Sequence, residues 1–247
     1  MDVPGLGACP RCPYRSIGPA ARCWDCAQPR LIPLAARRCG VCDQPLGLLD
    51  RCPNYWCGRD DRGFDAVWAL ALHRGPLRQI IARYKYRGGR SWATILGRLL
   101  AGYLLEHSPW FDEFELVTAC PGWPTAERPW DHMASVVAAA AEVAGDLWPF
   151  DFGAERAVIK TAATVPLMSL GSPASRRLWA ACELRAALAV PDPSRVARRH
   201  VLVVDDVFTD GSTLREVALA LRRCGAAGVS GLVFARQGWR QSPVRGD

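Results

Sequence analysis

Two adjacent acidic residues, Asp205 and Asp206, follow the apolar run HVLVV and precede a polar loop and a helical pattern. An unbroken apolar run is typical of a strand buried on both faces of a parallel sheet, where ligands bind beyond the carboxyl ends of the strands. Carboxylates there suit sugar hydroxyls or Mg²⁺, and the helix that follows presents N–H groups and a positive dipole end to a phosphate. The candidate phosphate-binding residues are Thr209, Asp210, Gly211, Ser212 and Thr213. This stretch therefore predicts a site for a ribose 5-phosphate group.

The same residues have a second interpretation, in which the two acids form a solvated strand end and Asp210 and Ser212 cap the helix. Asp210 matters to both interpretations, because a carboxylate inside a phosphate cradle repels a dianion. Phosphate binding then requires the Asp210 side chain to turn outward and leave backbone N–H groups facing the ligand. Spacing alone does not separate the two interpretations.

Paired cysteines near the N-terminus indicate metal binding. Eight of the 11 cysteines lie before residue 58, in four pairs: Cys9 and Cys12, Cys23 and Cys26, Cys39 and Cys42, Cys52 and Cys57. Two such pairs complete a closed, tetrahedral, structural Zn²⁺ site, so eight ligands suffice for two zinc ions. The four ligands of each ion come either from successive pairs or from interleaved pairs. Redox-active C-x-x-C motifs are the alternative, but they favour a single motif at a helix start.

Composition divides the chain into three parts. Residues 1–62 are rich in Pro, Gly and Arg, have few aliphatic residues and are predicted to fold as a zinc-binding module. Residues 63–240 carry most of the apolar residues and are predicted to form one α/β domain, and 241–247 a disordered tail.

No apolar run is long enough for a membrane span and no signal peptide is visible, so we expect a cytoplasmic protein. The net charge of +7, almost all from Arg, fits general solubility or a surface for phosphates or nucleic acid.

Alternating strand and helix patterns predict a parallel sheet with helices on both faces. Predicted strands lie at 64–72, 114–124, 157–160 and 200–207. Predicted helices begin at the Gly-Pro pair of 75–76, span 93–107, span 131–148 with Asp131 as N-cap, and run from 211 to a stop at Gly225. Residues 161–175 are expected to form a mobile loop, and 175–190 have no clear period.

The stretch VLVVDDVFTDGST at 201–213 resembles the phosphoribosyl pyrophosphate motif of type I phosphoribosyltransferases. The order of four cysteine pairs, the segment HRGPLRQIIARYKYRG at 73–88 and this motif resembles the ComF family, across most of the chain. The family's segment is visible as Arg74, Pro76, Leu77, Arg78, Lys85, Tyr86 and Gly88. The resemblance implies a type I phosphoribosyltransferase-like fold, preceded by a small zinc-ribbon-like module.

The resemblance also implies residue roles. Asp205 and Asp206 would contact the ribose hydroxyls and Mg²⁺ as the catalytic acids, and the loop from Thr209 to Thr213 would wrap the 5-phosphate. Residues near the family's pyrophosphate-binding turn and its neighbours are Cys120, Pro121, Gly122, Arg128 and Lys160. The turn reads TACPGWP where the family has VPVPLHP, RPWDH stands for RGFNQ, and Asp210 stands where Thr or Ala is usual.

Three functional hypotheses follow. The first is an enzyme that binds phosphoribosyl pyrophosphate with Mg²⁺ and transfers the phosphoribosyl group, releasing pyrophosphate. The second, suggested by the ComF family's association with competence and DNA uptake, is an accessory protein that binds single-stranded DNA or a DNA-processing protein. Its zinc module and Arg excess would contact DNA, with Trp24, Trp56 and Trp123 as candidate stacking residues. The third is a paralogue with a decayed site.

Overall fold

The structure is a computed structural model that describes residues 24–25, 27–47, 51–87, 89–126, 128–153, 155–165 and 169–238. The expectations for Cys9, Cys12, Cys23, Cys26 and the tail at 241–247 lie outside these residues. Among the residues described, no helix combines the length and the apolar character needed to cross a membrane.

Within the described ranges, the main sheet has five strands in the order β1-β7-β6-β2-β3, and every neighbouring pair is parallel. Strands β4 and β5 form a separate antiparallel pair. The strands are β1 Val67–Leu72, β2 Leu116–Ala119, β3 Phe150–Asp151, β4 Ile159–Lys160, β5 Leu188–Ala189, β6 His200–Phe208 and β7 Gly228–Arg236. The parallel sheet with flanking helices confirms the predicted fold class.

The helices lie between the strands, as a parallel sheet requires. They are α1 Gly75–Tyr86, α2 Trp92–Glu106, α3 His132–Ala144, α4 Pro173–Trp179 and α5 Ser212–Arg223. Helix α4 continues through a π-helical segment, Ala180–Leu184, and a last α-helical turn, Arg185–Ala187. Short 3₁₀ helices span Gln28–Arg30, Asp60–Arg62, Ser108–Trp110, Gly145–Leu147 and Pro193–Arg195.

The two faces of the sheet are covered by different parts of the chain. Along β6, Leu202 and Val204 pack in one apolar cluster with α1, α2 and α3. Val201 and Val203 pack in the other cluster, with α5 and the segment at 31–46 that carries Cys39 and Cys42, called here the cysteine segment. This alternation is the period-2 geometry of a strand buried on both faces. It decides which way each side chain at the end of β6 will point.

The cysteine segment covers the outer edge of β1. Val67 N donates to Val41 O at 2.9 Å, and Ala69 N donates to Asp43 Oδ2 at 2.9 Å. An edge strand otherwise presents unpaired N–H groups that template aggregation. The segment at 31–46 therefore completes the sheet as well as carrying two of the cysteines.

Several predicted elements differ from those observed. The run at 157–160 contributes β4, which joins β5 rather than the main sheet. The N-terminal part of 175–190 is helical, and helix α4 begins within the expected loop, at Pro173. Strands β3 and β7 were not predicted, although β7 is buried at all nine positions between β1 and β6. Its glycines, Gly228 and Gly231, obscure the strand pattern, but a side chain at Gly231 would meet Leu214 Cδ2 at 2.6 Å.

Candidate functional site

The two adjacent acids lie inside β6 rather than at its end, because the strand continues to Phe208. Successive side chains of a strand point to opposite faces. Asp205 therefore lies on the α5 side of the sheet, and Asp206 on the side of α1 and α3. Their neighbours differ accordingly.

Asp206 is buried and tightly partnered. Its Oδ2 accepts from Lys85 Nζ at 2.7 Å and from His132 Nε2 at 3.1 Å, which brings α1 and α3 onto the end of β6. Burial acts to raise the pKa of Asp206, but the Lys85 charge and the His132 hydrogen bond outweigh it and hold the pKa below its usual range. Asp206 is therefore ionised, with one oxygen already occupied by protein donors.

Asp205 is half-buried and, among the described residues, forms no salt bridge. Its Oδ1 accepts from Asp206 N at 2.8 Å, and the Cys120 thiol lies beside it. Burial, followed by the charge of Asp206, raises the pKa of Asp205 to about 7. The Lys85 charge opposes this shift without forming an ion pair with Asp205. A carboxyl group in this state binds a proton readily and suits a metal ion or a hydroxyl donor.

The loop after β6 forms a pocket at the start of α5. Gly211 has a φ of 90°, and an added Cβ would lie 2.5 Å from Phe208 Cζ, so the turn requires glycine. The pocket is lined by Asp205, Val207, Phe208, Thr209, Gly211, Ser212, Thr213, Leu214 and Val233. The loop residues named from the sequence and one of the two acids therefore surround a single concavity.

Asp210 does not turn outward. Its side chain is buried, Oδ1 accepts from Ser212 N at 3.1 Å, and Oδ2 accepts from Ser212 Oγ at 3.0 Å. The carboxylate thus engages two donors that a bound phosphate would use. The N-cap of α5 is Gly211, without a side-chain capping hydrogen bond, so the second interpretation was wrong to name Asp210 and Ser212 as caps. Asp210 instead closes a local turn around Ser212, next to the pocket.

A second strand–turn–helix unit lies beside it, from β2 to α3. Its turn, Cys120 to Gly122, leads to Asp131, the predicted N-cap, which accepts from Met133 N at 3.1 Å and from Ala134 N at 3.2 Å. Asp131 Oδ2 also accepts from Gly122 N at 3.0 Å and from Arg156 Nη1 at 2.8 Å. A carboxylate therefore already fills the position where the sequence suggests pyrophosphate.

The predicted cations near this turn are partly engaged. Arg128 Nη2 donates to Trp123 O at 3.1 Å, but its Nε is buried without a described partner. Lys160 Nζ donates to Thr164 Oγ1 at 2.5 Å, and burial lowers the pKa of Lys160. His132 Nδ1 is also buried without a described partner, but it is the acceptor nitrogen of a neutral imidazole whose Nε2 donates to Asp206. Donor capacity for an anion near Gly122 therefore comes from Arg128 and Lys160.

Four cysteines form the candidate metal centre. The Sγ atoms of Cys39, Cys42, Cys52 and Cys57 all lie within 4.8 Å of one another, and Cys42 Sγ is 3.6 Å from Cys52 Sγ. Tetrahedral zinc with Zn–S bonds of about 2.3 Å separates its sulfurs by about 3.8 Å, so the four residues fit the ion. Of the two proposed pairings, this cluster matches successive pairs. Four sulfurs leave no open position, so the chemistry that zinc would supply here is structural.

Two contacts at the site were not predicted. The segment containing Lys85 was recognised from the sequence, but its pairing with Asp206 was not, and neither was the contact of His132. One signal was present: the chain has only two lysines, at 85 and 160, in an Arg-rich composition. Both lysines lie near the carboxyl ends of β2 and β6, and composition alone could not show this.

Comparison with protein-family models finds no match for this chain, and comparison with curated proteins finds none. One solved structure, described as "Structure of the allosteric regulatory enzyme of purine biosynthesis", is similar to it with 23% identity and a TM-score of 0.34. The match covers 58% of this chain and 25% of the other, so this chain spans about a quarter of that protein's length. A likeness of this size carries no functional weight.

Proposed function

We propose that the chain binds a phosphoribosyl ligand, phosphoribosyl pyrophosphate or ribose 5-phosphate, at the end of β6. The supporting observation is the pocket in which Asp205 stands beside Thr209, Gly211, Ser212 and Thr213 at the start of α5. An anion is favoured at a helix N-terminus, and an unpaired carboxylate accepts hydrogen bonds from a diol. The lining residues thus include a suitable partner for each end of a ribose 5-phosphate. The concavity itself has a volume of about 20 Å³, room for one water molecule, so the ligand would lie across its mouth.

The two acids have different roles in this proposal. Asp205 would accept from the ribose hydroxyls or hold Mg²⁺, since Mg²⁺ in nucleotide sites is often bound by one carboxylate together with ligand oxygens. Asp206 would hold α1 and α3 against the carboxyl end of β6 through its contacts with Lys85 and His132. The Lys85 ammonium, itself partly exposed, would also add positive charge beside the ligand.

The reaction that fits this ligand is transfer of the phosphoribosyl group, as the resemblance to the ComF family implies. The bond from C1 of the ribose to pyrophosphate breaks, pyrophosphate leaves with the electron pair, and a nucleophile forms the new bond to C1. Catalysis would depend on positioning and on stabilising the leaving anion. The Arg128 Nε–H and the Lys160 ammonium near Gly122 support this step, whereas the Asp131 carboxylate must be displaced or bypassed for it.

The single-stranded DNA hypothesis loses two of its three stacking residues. Trp24 is 3% exposed and Trp56 is 7% exposed, so both are packed in the interior. Base stacking requires an accessible aromatic face. DNA binding by the Arg-rich surface or by a competence partner remains a separate prediction, and the phosphoribosyl site has the stronger structural support.

Calorimetric titration of the zinc-loaded full chain with Mg²⁺ and phosphoribosyl pyrophosphate tests the proposal. We expect micromolar binding that falls at least about tenfold in Asp205→Asn, since one charge-assisted contact is worth about 1.4 kcal/mol or more. Asp112→Asn, at an exposed acid away from the site, is the matched control. Absence of binding by the unmodified chain, or equal binding by Asp205→Asn, would refute the proposed site. Mg²⁺-dependent pyrophosphate release with a panel of amine and base acceptors then tests transfer.

A further inference from the structure

Arg236, the last residue of β7, is a fully buried arginine. It lies beside the loop of residues 208–213 that joins β6 to α5, called here the ligand loop or ligand-binding loop. Its side chain is 0% exposed. Strand β7 lies between β6 and β1, so its carboxyl end lies between the loop that follows β6 and the cysteine segment that covers β1. A guanidinium at this position reaches both.

The guanidinium donates in two directions. Toward the cysteine cluster, Nε donates to Cys42 O at 2.8 Å and Nη2 to Cys42 Sγ at 3.6 Å. Toward the ligand loop, Nη1 donates to Phe208 O at 3.0 Å and to Thr209 O at 2.8 Å, and it also contacts Gln237 O at 2.7 Å. The Arg236 guanidinium also lies over the Phe208 ring, 4.8 Å from its centroid. One side chain therefore contacts a residue of the metal centre and the first residues of the ligand loop.

The charge of Arg236 has few other means of compensation. Among the described residues it forms no salt bridge, and its acceptors are carbonyl oxygens and one cysteine sulfur. The buried Asp43 carboxyl acts on it through space but does not bond to it. Burying an uncompensated charge is costly. Four thiolates around one divalent ion carry net negative charge, and a donor to such a sulfur orients the ligand set from outside the metal's coordination sphere. A loaded metal centre thus favours the observed position of Arg236.

We propose that Arg236 is a positioning residue that couples zinc binding at the cysteine cluster to ligand binding at the β6–α5 loop. This rests on the proposed function for its ligand, although the contact between the two regions does not. Phe208, which Arg236 holds by its carbonyl and ring, also packs against Gly211 and so sets the turn of the loop. Zinc then stabilises the ligand-binding form of residues 208–213.

Coupling between two binding sites is reciprocal. If zinc favours the ligand-binding loop, ribose 5-phosphate must raise the affinity for zinc by the same factor. Typical couplings change an affinity by about 5-fold or more, which an equilibrium competition measurement resolves. A purely structural arginine would lower stability when replaced but would not transmit the effect of one site to the other.

The first experiment measures the zinc affinity of the full chain by equilibrium competition with a chromogenic chelator, with and without ribose 5-phosphate and Mg²⁺. We expect the ligand to raise the zinc affinity at least about fivefold in the unmodified chain and not at all in Arg236→Lys, which keeps the charge but loses the forked donors. Arg195→Lys, which alters the ion pair with Asp151 elsewhere, should retain the ligand effect. An equal rise in zinc affinity in Arg236→Lys at saturating ligand would overturn the coupling.

A second measurement does not depend on the ligand. Amide hydrogen exchange in 207–213 should accelerate in zinc-loaded Arg236→Lys while exchange in β2 stays unchanged, and chelation of zinc from the unmodified chain should accelerate the same segment. If ribose 5-phosphate does not bind, the proposed function fails, and these exchange rates still decide whether the metal centre positions the loop. Unchanged exchange in 207–213 in Arg236→Lys would contradict the role of Arg236.

Discussion

Aspartates at the carboxyl ends of the strands have different partners on the two faces of the sheet. On the side of α1 and α3, Asp206 is bound by Lys85 and His132, and Asp131 is bound by Arg156 and three backbone N–H groups. We call this the closed side. On the side of α5, Asp205 and Asp210 form no salt bridge among the described residues. We call this the open side.

This difference separates structural acids from candidate ligand-binding acids. A carboxylate with buried cationic partners stays ionised and holds elements together, but it has little capacity left for a ligand. A carboxylate without a cation is costly to bury, and a ligand or metal can relieve that cost. Aspartates that lie close together at the carboxyl ends of the strands therefore either stabilise the fold or are available to a ligand, depending on their neighbours.

The largest effect should come from removing Asp131 on the closed side. Asp131→Ala should lower the free energy of unfolding by about 3 kcal/mol, because it removes an N-cap and leaves the buried Arg156 charge and Gly122 N without their acceptor. Asp131→Asn keeps one acceptor oxygen and should cost about half as much. Urea unfolding of the reduced, zinc-loaded proteins measures both. Equal losses would assign the whole effect to the lost charge beside Arg156, and an unchanged stability in Asp131→Asn would show that this charge contributes nothing.

The two adjacent acids should respond oppositely to the same substitution. Asp206→Asn should destabilise the protein by about 2 kcal/mol at neutral pH, because Lys85 loses its counter-charge. Asp205→Asn should instead raise the free energy of unfolding at neutral pH by about 1 kcal/mol or more, because a carboxyl whose pKa is raised in the folded state costs stability when it ionises. Parallel urea unfolding tests this, and a loss of stability in Asp205→Asn as large as that in Asp206→Asn would reverse the assignment of the open and closed sides.

Asp210 should oppose ligand binding while contributing little to stability. Asp210→Thr removes a carboxylate from the loop and frees Ser212 N and Oγ, so affinity for ribose 5-phosphate should rise about tenfold. The free energy of unfolding should change by no more than about 1 kcal/mol. Calorimetry beside Asp192→Thr, at an exposed acid outside the loop, measures the change. Weaker binding in Asp210→Thr would mean that Asp210 supports the ligand-binding loop.

The smallest effect should be a pH dependence that belongs to Asp205. Because burial raises its pKa to about 7, Asp205 is mostly protonated below that pH and ionised above it. Only the ionised form accepts from both ribose hydroxyls or holds Mg²⁺, so affinity should rise several-fold from pH 6.5 to pH 8. Asp205→Asn should keep only the smaller change caused by the ligand's own phosphate, whose second pKa is about 6. An identical pH profile in Asp205→Asn would assign the dependence to another group.

Local patterns predicted much of this protein. Periodicity and end signals located α1, α2 and α3, Asp131 was correctly predicted as an N-cap, and the run ending in two acids predicted β6 and the helix after it. Paired cysteines predicted a metal cluster, of which the four within the described residues come together. These features are readable because each depends on residues close together in the chain.

The tertiary structure decided how the predicted parts are used. It placed β7, unpredicted because two glycines obscure its pattern, between β1 and β6, and so brought Arg236 to Cys42 and Phe208. It also paired Asp206 with Lys85, whereas Asp205 forms no ion pair among the described residues. Such contacts join residues far apart in sequence, and strand order and register set them. The chain's own pattern therefore determined which acids, cysteines and loop residues were available, and only the packing of the sheet and helices determined which of them remain free to bind a ligand.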